Sequence, residues 1–273
     1  MERGLIKTSL GYMQYRSSGS GYPLVLLHGN AKSSVMFLEL MEALPDDVRA
    51  IAIDFPSCGD SDHVEGALRI DDYARVTLEM LDALGITGAT VLGQAYAVRV
   101  ATKMALSSPK IVEKIIMVNC PWYASKEAQI AGRASRNAKI RPTDDNGIIF
   151  TRTLDEYLAL DPGHAPMNPT ESYAERRNLV SLQAGREGLQ MLHSAEREDD
   201  EDGLVEYLLA SMSRLECPVM NMWGEHFPCT PHREDFARAV KSEHRTVVIE
   251  GTRFDPWVDR PDEVSRQIMS FIR

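Results

Sequence analysis

Short apolar runs that alternate with longer amphipathic segments constrain this chain more than any other feature. Runs at Leu5–Gln14, Leu24–Leu27, Arg49–Ile53, Ala89–Leu92, Lys114–Val118, Val219–Trp223 and Thr246–Ile249 read as strands. Between them, Ser34–Leu44, Ile70–Leu84, Val98–Leu106, Glu234–Val240 and Asp262–Ile272 carry apolar residues at helical spacing. Strands separated by helices cannot pair as hairpins; they pair side by side through helical crossovers. The pattern therefore predicts an α/β fold, a mostly parallel central sheet flanked by helices. From Tyr123 to Ser213 the strand signal stops and only helical or loop-like sequence remains. The expected organisation is a core of residues 1–122 and 214–273 with a helical cap, 123–213, inserted in it. Within the cap, the acidic run Glu196–Asp202 reads as a solvated loop.

Charge narrows the partners. Thirty Lys and Arg against 40 Asp and Glu give a formal net charge of −10, which repels phosphate backbones and anionic lipid. Nucleic acid and membrane are not expected as partners, and a small-molecule substrate or ligand is; the oligomeric state is left open. No apolar stretch approaches the length needed to cross a bilayer, and the first residues lack the apolar core of a secretion signal. Cys58, Cys120, Cys217 and Cys229 show neither close pairing nor metal-ligand spacing. A reduced, cytoplasmic setting without a disulfide or a metal site is the expectation. No glycine-rich phosphate loop or dinucleotide fingerprint is present, so no cofactor is expected.

Ordered motifs sit at the ends of these strands. They are Leu27-His28-Gly29-Asn30, then Asp54-Phe55-Pro56-Ser57-Cys58-Gly59-Asp60-Ser61, then Leu92-Gly93-Gln94-Ala95-Tyr96-Ala97 at the entry to a helix. Further on come Met222-Trp223-Gly224-Glu225-His226-Phe227-Pro228, Gly251-Thr252-Arg253-Phe254-Asp255-Pro256-Trp257 and Arg260-Pro261-Asp262-Glu263-Val264. Together these blocks resemble the α/β-hydrolase superfamily, and the resemblance covers everything except the cap. It implies an α/β-hydrolase fold with a nucleophile elbow, an acid loop and a histidine loop.

At each chemical position the chain departs from that pattern. Ala95 stands where the elbow places its nucleophile, Phe227 where the acid loop of many relatives has Asp, and Phe254 where the histidine loop has its general base. The main-chain oxyanion donors implied by the resemblance are the N–H of Tyr96 and that of Asn30 or Ala31. Losing side chains does not remove them. An apolar floor of Ala95, Phe227 and Phe254 is expected, with Tyr96, Trp122 and Trp257 as aromatic walls, Asn119 and Cys120 near the mouth, and His226 at the rim. Asn30, Gln94 and Tyr96 are the candidates to orient a ligand and to act in catalysis. His28 reads as a residue that positions its turn, and Cys58 as a packed thiol.

Three functions fit these residues. One is a non-hydrolytic, cofactor-independent enzyme (a cyclase, lyase, isomerase or pericyclic catalyst) acting on a small, largely apolar carbonyl metabolite. Confinement and one or two donors suffice for such chemistry. Another is a catalytically dead ligand-binding protein that keeps the pocket. The last is a hydrolase working through a displaced pair, His226 with Asp255.

Overall fold

The computed structural model describes residues 1–30, 32–66, 68–139, 165–194 and 205–273. Among these residues, β1 (Glu2–Thr8), β2 (Gly11–Ser18), β3 (Tyr22–Leu27), β4 (Val48–Ile53), β5 (Ala89–Gln94), β6 (Val112–Val118), β7 (Val219–Gly224) and β8 (His244–Ile249) form one eight-stranded sheet. Its order is β1-β2-β4-β3-β5-β6-β7-β8. The pairs β1/β2 and β2/β4 are antiparallel and the rest are parallel, as the alternation of runs and amphipathic segments requires.

The central strands are buried on both sides because helices cover both. Along them side chains alternate between two cores with the period of an extended chain. Val25, Leu27, Ile51, Ile53 and Val91 join one core, against α2 (Ile70–Ala83) and α3 (Ala97–Ser107). Leu24, Leu26, Ala50, Ala52 and Leu92 join the other, with α1 (Leu38–Ala43). Between β6 and β7 run α4 (Lys126–Lys139), α5 (Glu171–Ser194) and α6 (Val205–Met212), and after β7 come α7 (Arg233–Ala239), α8 (Pro256–Asp259) and α9 (Pro261–Ile272).

Two expectations are corrected. The run Leu5–Gln14 is not one strand: the chain reverses at Ser9 and Leu10, and Gly11 takes φ 110°, so β1 and β2 form a hairpin. Ser34–Leu44 is not one helix either, because a 3-10 turn at Ser34–Phe37 precedes α1. The acidic run Glu196–Asp202 lies outside the described residues.

The strand order positions the site. β3 leads on one side to β4, whereas β5 lies on its other side, so the chain direction of the crossovers reverses between β3 and β5. Ligands of open parallel sheets bind beyond the carboxyl ends of the strands at such a point. There Leu27 pairs with Gly93, which brings the His28-Gly29 turn against the Gln94-Ala95 turn.

That approach depends on Gly93. A Cβ there would lie 2.5 Å from the Ala97 carbonyl oxygen and 2.9 Å from the Val98 nitrogen, both main-chain atoms of α3 that cannot step aside. Gly93→Ala should therefore lower stability by at least about 2 kcal/mol, the scale of overpacking a rigid contact. Urea denaturation measures it, and an unchanged midpoint would show that α3 does not pack this closely on β5.

Candidate active site

The turn after β5 keeps the geometry of a nucleophile elbow. Ala95 has φ 51°, in the left-handed region, and Tyr96 already takes helical angles at the start of α3. The Ala95 N–H donates to the Val118 carbonyl at 2.8 Å, and its own carbonyl accepts from Val98. A Cβ built on Gly29 would stand 3.4 Å from the Ala95 methyl, so the turn after β3 lies directly beside the elbow. Ala95, Phe227 and Phe254 are all buried, and the two phenyl rings approach with centroids 5.8 Å apart. All three belong to the same core cluster.

Behind this floor lies a polar cluster that the sequence did not reveal. Lys32, 1% exposed, forms an ion pair with Asp255, which is 0% exposed. The Lys32 ammonium also donates to the Gln94 amide oxygen at 3.2 Å and lies 4.3 Å from the centre of the Phe254 ring. Gln94 donates through Nε2 to Asp255 at 2.6 Å and to the Phe254 carbonyl at 2.9 Å. The Tyr173 hydroxyl, from α5, donates to the second Asp255 oxygen at 2.6 Å. Burial pulls the Lys32 ammonium down to about 8, with Asp255 opposing. Burial on its own would raise the Asp255 carboxyl; Lys32, aided by hydrogen bonds from Tyr173 and Gln94, holds it below the ordinary carboxylate value. At neutral pH both partners are charged, and their hydrogen-bonding capacity is spent on one another.

Several expected roles change accordingly. Gln94 does not face a ligand; its amide braces Asp255 and the Phe254 main chain. Asn119, at φ 50°, accepts from the Gly224 N–H and donates to the Arg253 and Phe254 carbonyls, so it ties three loops together instead of meeting a ligand. Trp257 is no pocket wall. Its indole donates to the Met36 carbonyl at 2.8 Å and its ring packs on Phe37 in the core on the opposite side of the sheet. Trp122 is half-buried, with one face stacked on His232, centroids 3.7 Å apart. The Tyr96 ring is buried against Tyr73, 6.4 Å away, so its side chain belongs to the core. Asn30 is half-buried beside the elbow, and Ala31 lies outside the described residues.

His226 and Asp255 do not form a displaced pair. His226 is half-exposed beside Glu225, at 3.5 Å, while the Asp255 charge is already matched by Lys32. The thiols are no better placed for nucleophilic attack. Cys120 is buried against the Pro121 carbonyl, and burial raises Cys58, Cys217 and Cys229 above the ordinary thiol value. His28 holds its turn, with Nδ1 donating to the Gly29 carbonyl at 2.8 Å and Nε2 accepting the Phe55 N–H at 3.1 Å.

Residues 22–259 match the model of the alpha/beta hydrolase fold family. The chain belongs to that family. Proline iminopeptidase of Heyndrickxia coagulans is 21% identical over 289 residues, covering 96% of this chain and 94% of that protein. Haloalkane dehalogenase 2 of Mycobacterium tuberculosis is 30% identical over 117 residues, 42% of this chain, and the match spans only 41% of the dehalogenase's length. Among solved structures, the epoxide hydrolase CorEH without ligand superposes with a TM-score of 0.78 at 20% identity, covering 99% of this chain and 98% of that one. A thermophilic esterase from Thermogutta terrifontis superposes with a TM-score of 0.75 at 20% identity over 100% of this chain and 98% of that one. These likenesses establish the α/β-hydrolase fold. Among the described residues, no helix is long and apolar enough to cross a membrane.

The polar cluster predicts a large mutational effect. Lys32→Met leaves the Asp255 carboxylate buried without its cation and should cost about 3–5 kcal/mol, whereas adding Asp255→Leu should recover part of that loss. Urea denaturation of the single and double variants measures this, and additive losses would mean the two charges do not interact.

His28 supplies a pH signature. Burial lowers its pKa from 6.5 to about 4, so the unfolded chain binds the extra proton between those values and the native state does not. Its contribution is complete above pH 6.5 and is lost as pH falls toward 4, by about 3 kcal/mol. Stability of the parent should fall more steeply across that window than stability of His28→Gln; parallel pH profiles would remove His28 as the cause.

Proposed function

We propose that this α/β-hydrolase-fold protein is a non-hydrolytic, cofactor-independent enzyme of the cyclase, lyase or isomerase kind, acting on a small, largely apolar carbonyl metabolite beneath a helical cap. The observation that carries this reading is the elbow itself. A non-glycine residue at φ 51° stores roughly 1–3 kcal/mol of strain, and Ala95 has no nucleophile to present in return. What the strained turn holds at this place is main chain: the Tyr96 amide at the start of α3, beside the turn after β3. Donors of that kind stabilise negative charge developing on a carbonyl oxygen.

The surroundings fit the same chemistry. Ala95, Phe227 and Phe254 remove the means of forming and hydrolysing an acyl-enzyme and leave an apolar surface. The Lys32–Asp255 pair, internally neutral, holds that surface from behind and offers the ligand neither a free acid nor a free base. Acceleration then comes from confinement and from the main-chain donors, which intramolecular reactions exploit most. Gln94 acts in this scheme as a positioning residue, while Asn30 is the side chain that meets the ligand. The mutual satisfaction of Lys32, Gln94, Asp255 and Tyr173 also favours a second reading, a binding protein without turnover.

The two readings separate in one experiment. Purified protein is incubated with a metabolite extract, and bound and released species are identified by mass spectrometry, alongside p-nitrophenyl acetate and butyrate assays. The expected result is no ester turnover above background and conversion of a retained ligand to an isomer or fragment, slowed at least tenfold in Asn30→Ala. A ligand always recovered unchanged would establish the binding protein, and saturable ester turnover would establish a hydrolase.

A further inference from the structure

Away from the elbow, α3 carries a buried cation that the protein does not satisfy. Arg99 is 2% exposed, and none of its three guanidinium nitrogens has a hydrogen-bond partner among the described residues. Its guanidinium carbon lies 5.8 Å from the centre of the Tyr96 ring, a contact that uses a π face and leaves the N–H donors unspent. Buried guanidinium groups are ordinarily paired, because removing the charge from water without compensation is costly.

Arg99 is one of the residues around a cavity of about 220 Å³ between the start of α2, α3 and α6, with its guanidinium nitrogens just beneath the cavity surface. Arg99, Thr102, Lys103 and Leu106 fall at helical spacing on one face of α3, and Tyr207 and Ser211 of α6 stand opposite. Lys103 reaches Asp71 at 2.8 Å, while Arg214 brings a further cation to the rim. Among the described residues no Asp or Glu lines the cavity, although the chain as a whole carries a net charge of −10. Arg99 and Arg214 gathered in one cleft against that overall balance, beside the Lys103–Asp71 pair, make the arrangement of an anion site, and a guanidinium fork matches the paired oxygens of a carboxylate or a phosphate.

We propose that this cavity binds the carboxylate or phosphate group of a small metabolite, with Arg99 as its principal ligand. The site is separate from the floor at Ala95 and stands whether or not the elbow is catalytic. Binding is measured by isothermal titration calorimetry of inorganic phosphate and of malonate into the full chain, with chloride matching the ionic strength. The expected result is saturable one-to-one binding of at least one anion, weakened at least tenfold in Arg99→Met. Preference for phosphate assigns a phosphorylated ligand, and preference for malonate a carboxylic acid. Arg99→Met should also melt no lower than the parent without added anion, because it removes an unpaired buried charge. Arg99→Lys keeps the charge but not the fork, and a tenfold loss of affinity with native circular dichroism supports the same assignment. Absence of saturable binding to the parent, or unchanged affinity in either folded variant, would overturn the proposal.

Discussion

The buried ion pair between Lys32 and Asp255 is the interaction on which the site depends. Both groups are removed from water, so neither is tolerable without the other, and each must arrive by its own route: Lys32 from the loop after β3 and Asp255 from the loop after β8. Once paired, they fix two loops on either side of the elbow. Gln94, at the end of β5, joins the pair from below, and Tyr173 joins it from α5. The same helix is further held by Arg176 against Glu39 and by packing of Tyr173 and Val180 on Met36. One charge pair thus registers α5 against the sheet.

This arrangement shows what holds the family's frame together around the turn at Ala95. The frame is made of main chain and close approaches: Gly93 under α3, Gly29 against Ala95, and Asn119 tying the loops after β6, β7 and β8. None of those contacts requires a nucleophile, an acid or a base. Phe227 and Phe254 pack against one another beside the turn, while charge is confined to the Lys32–Asp255 pair. The strain at Ala95 is tolerated because hydrogen bonds from both sides over-determine the turn. Along α3 the consequences continue, since Tyr96 turns its ring to the core and meets the guanidinium of Arg99 one helical turn on.

Sequence alone determined the layered architecture, because apolar period and segment length depend on neighbours along the chain, and it singled out Ala95, Phe227 and Phe254 because each stands in a local motif. It did not determine direction. Whether His226 or Phe227 faces inward is decided by one residue's rotation in a turn, and the short helix at Pro256–Asp259 carries Trp257 to the far core. Nor did it reveal the charge pair. Lys32 lies four residues beyond His28 in a loop whose main chain drew the attention, and Asp255 stands 223 positions away from it in sequence. Electrostatic partners of that separation are chosen by the order of the strands, and only the folded sheet, by bringing the loops after β3 and β8 together at its carboxyl edge, makes one the counter-ion of the other.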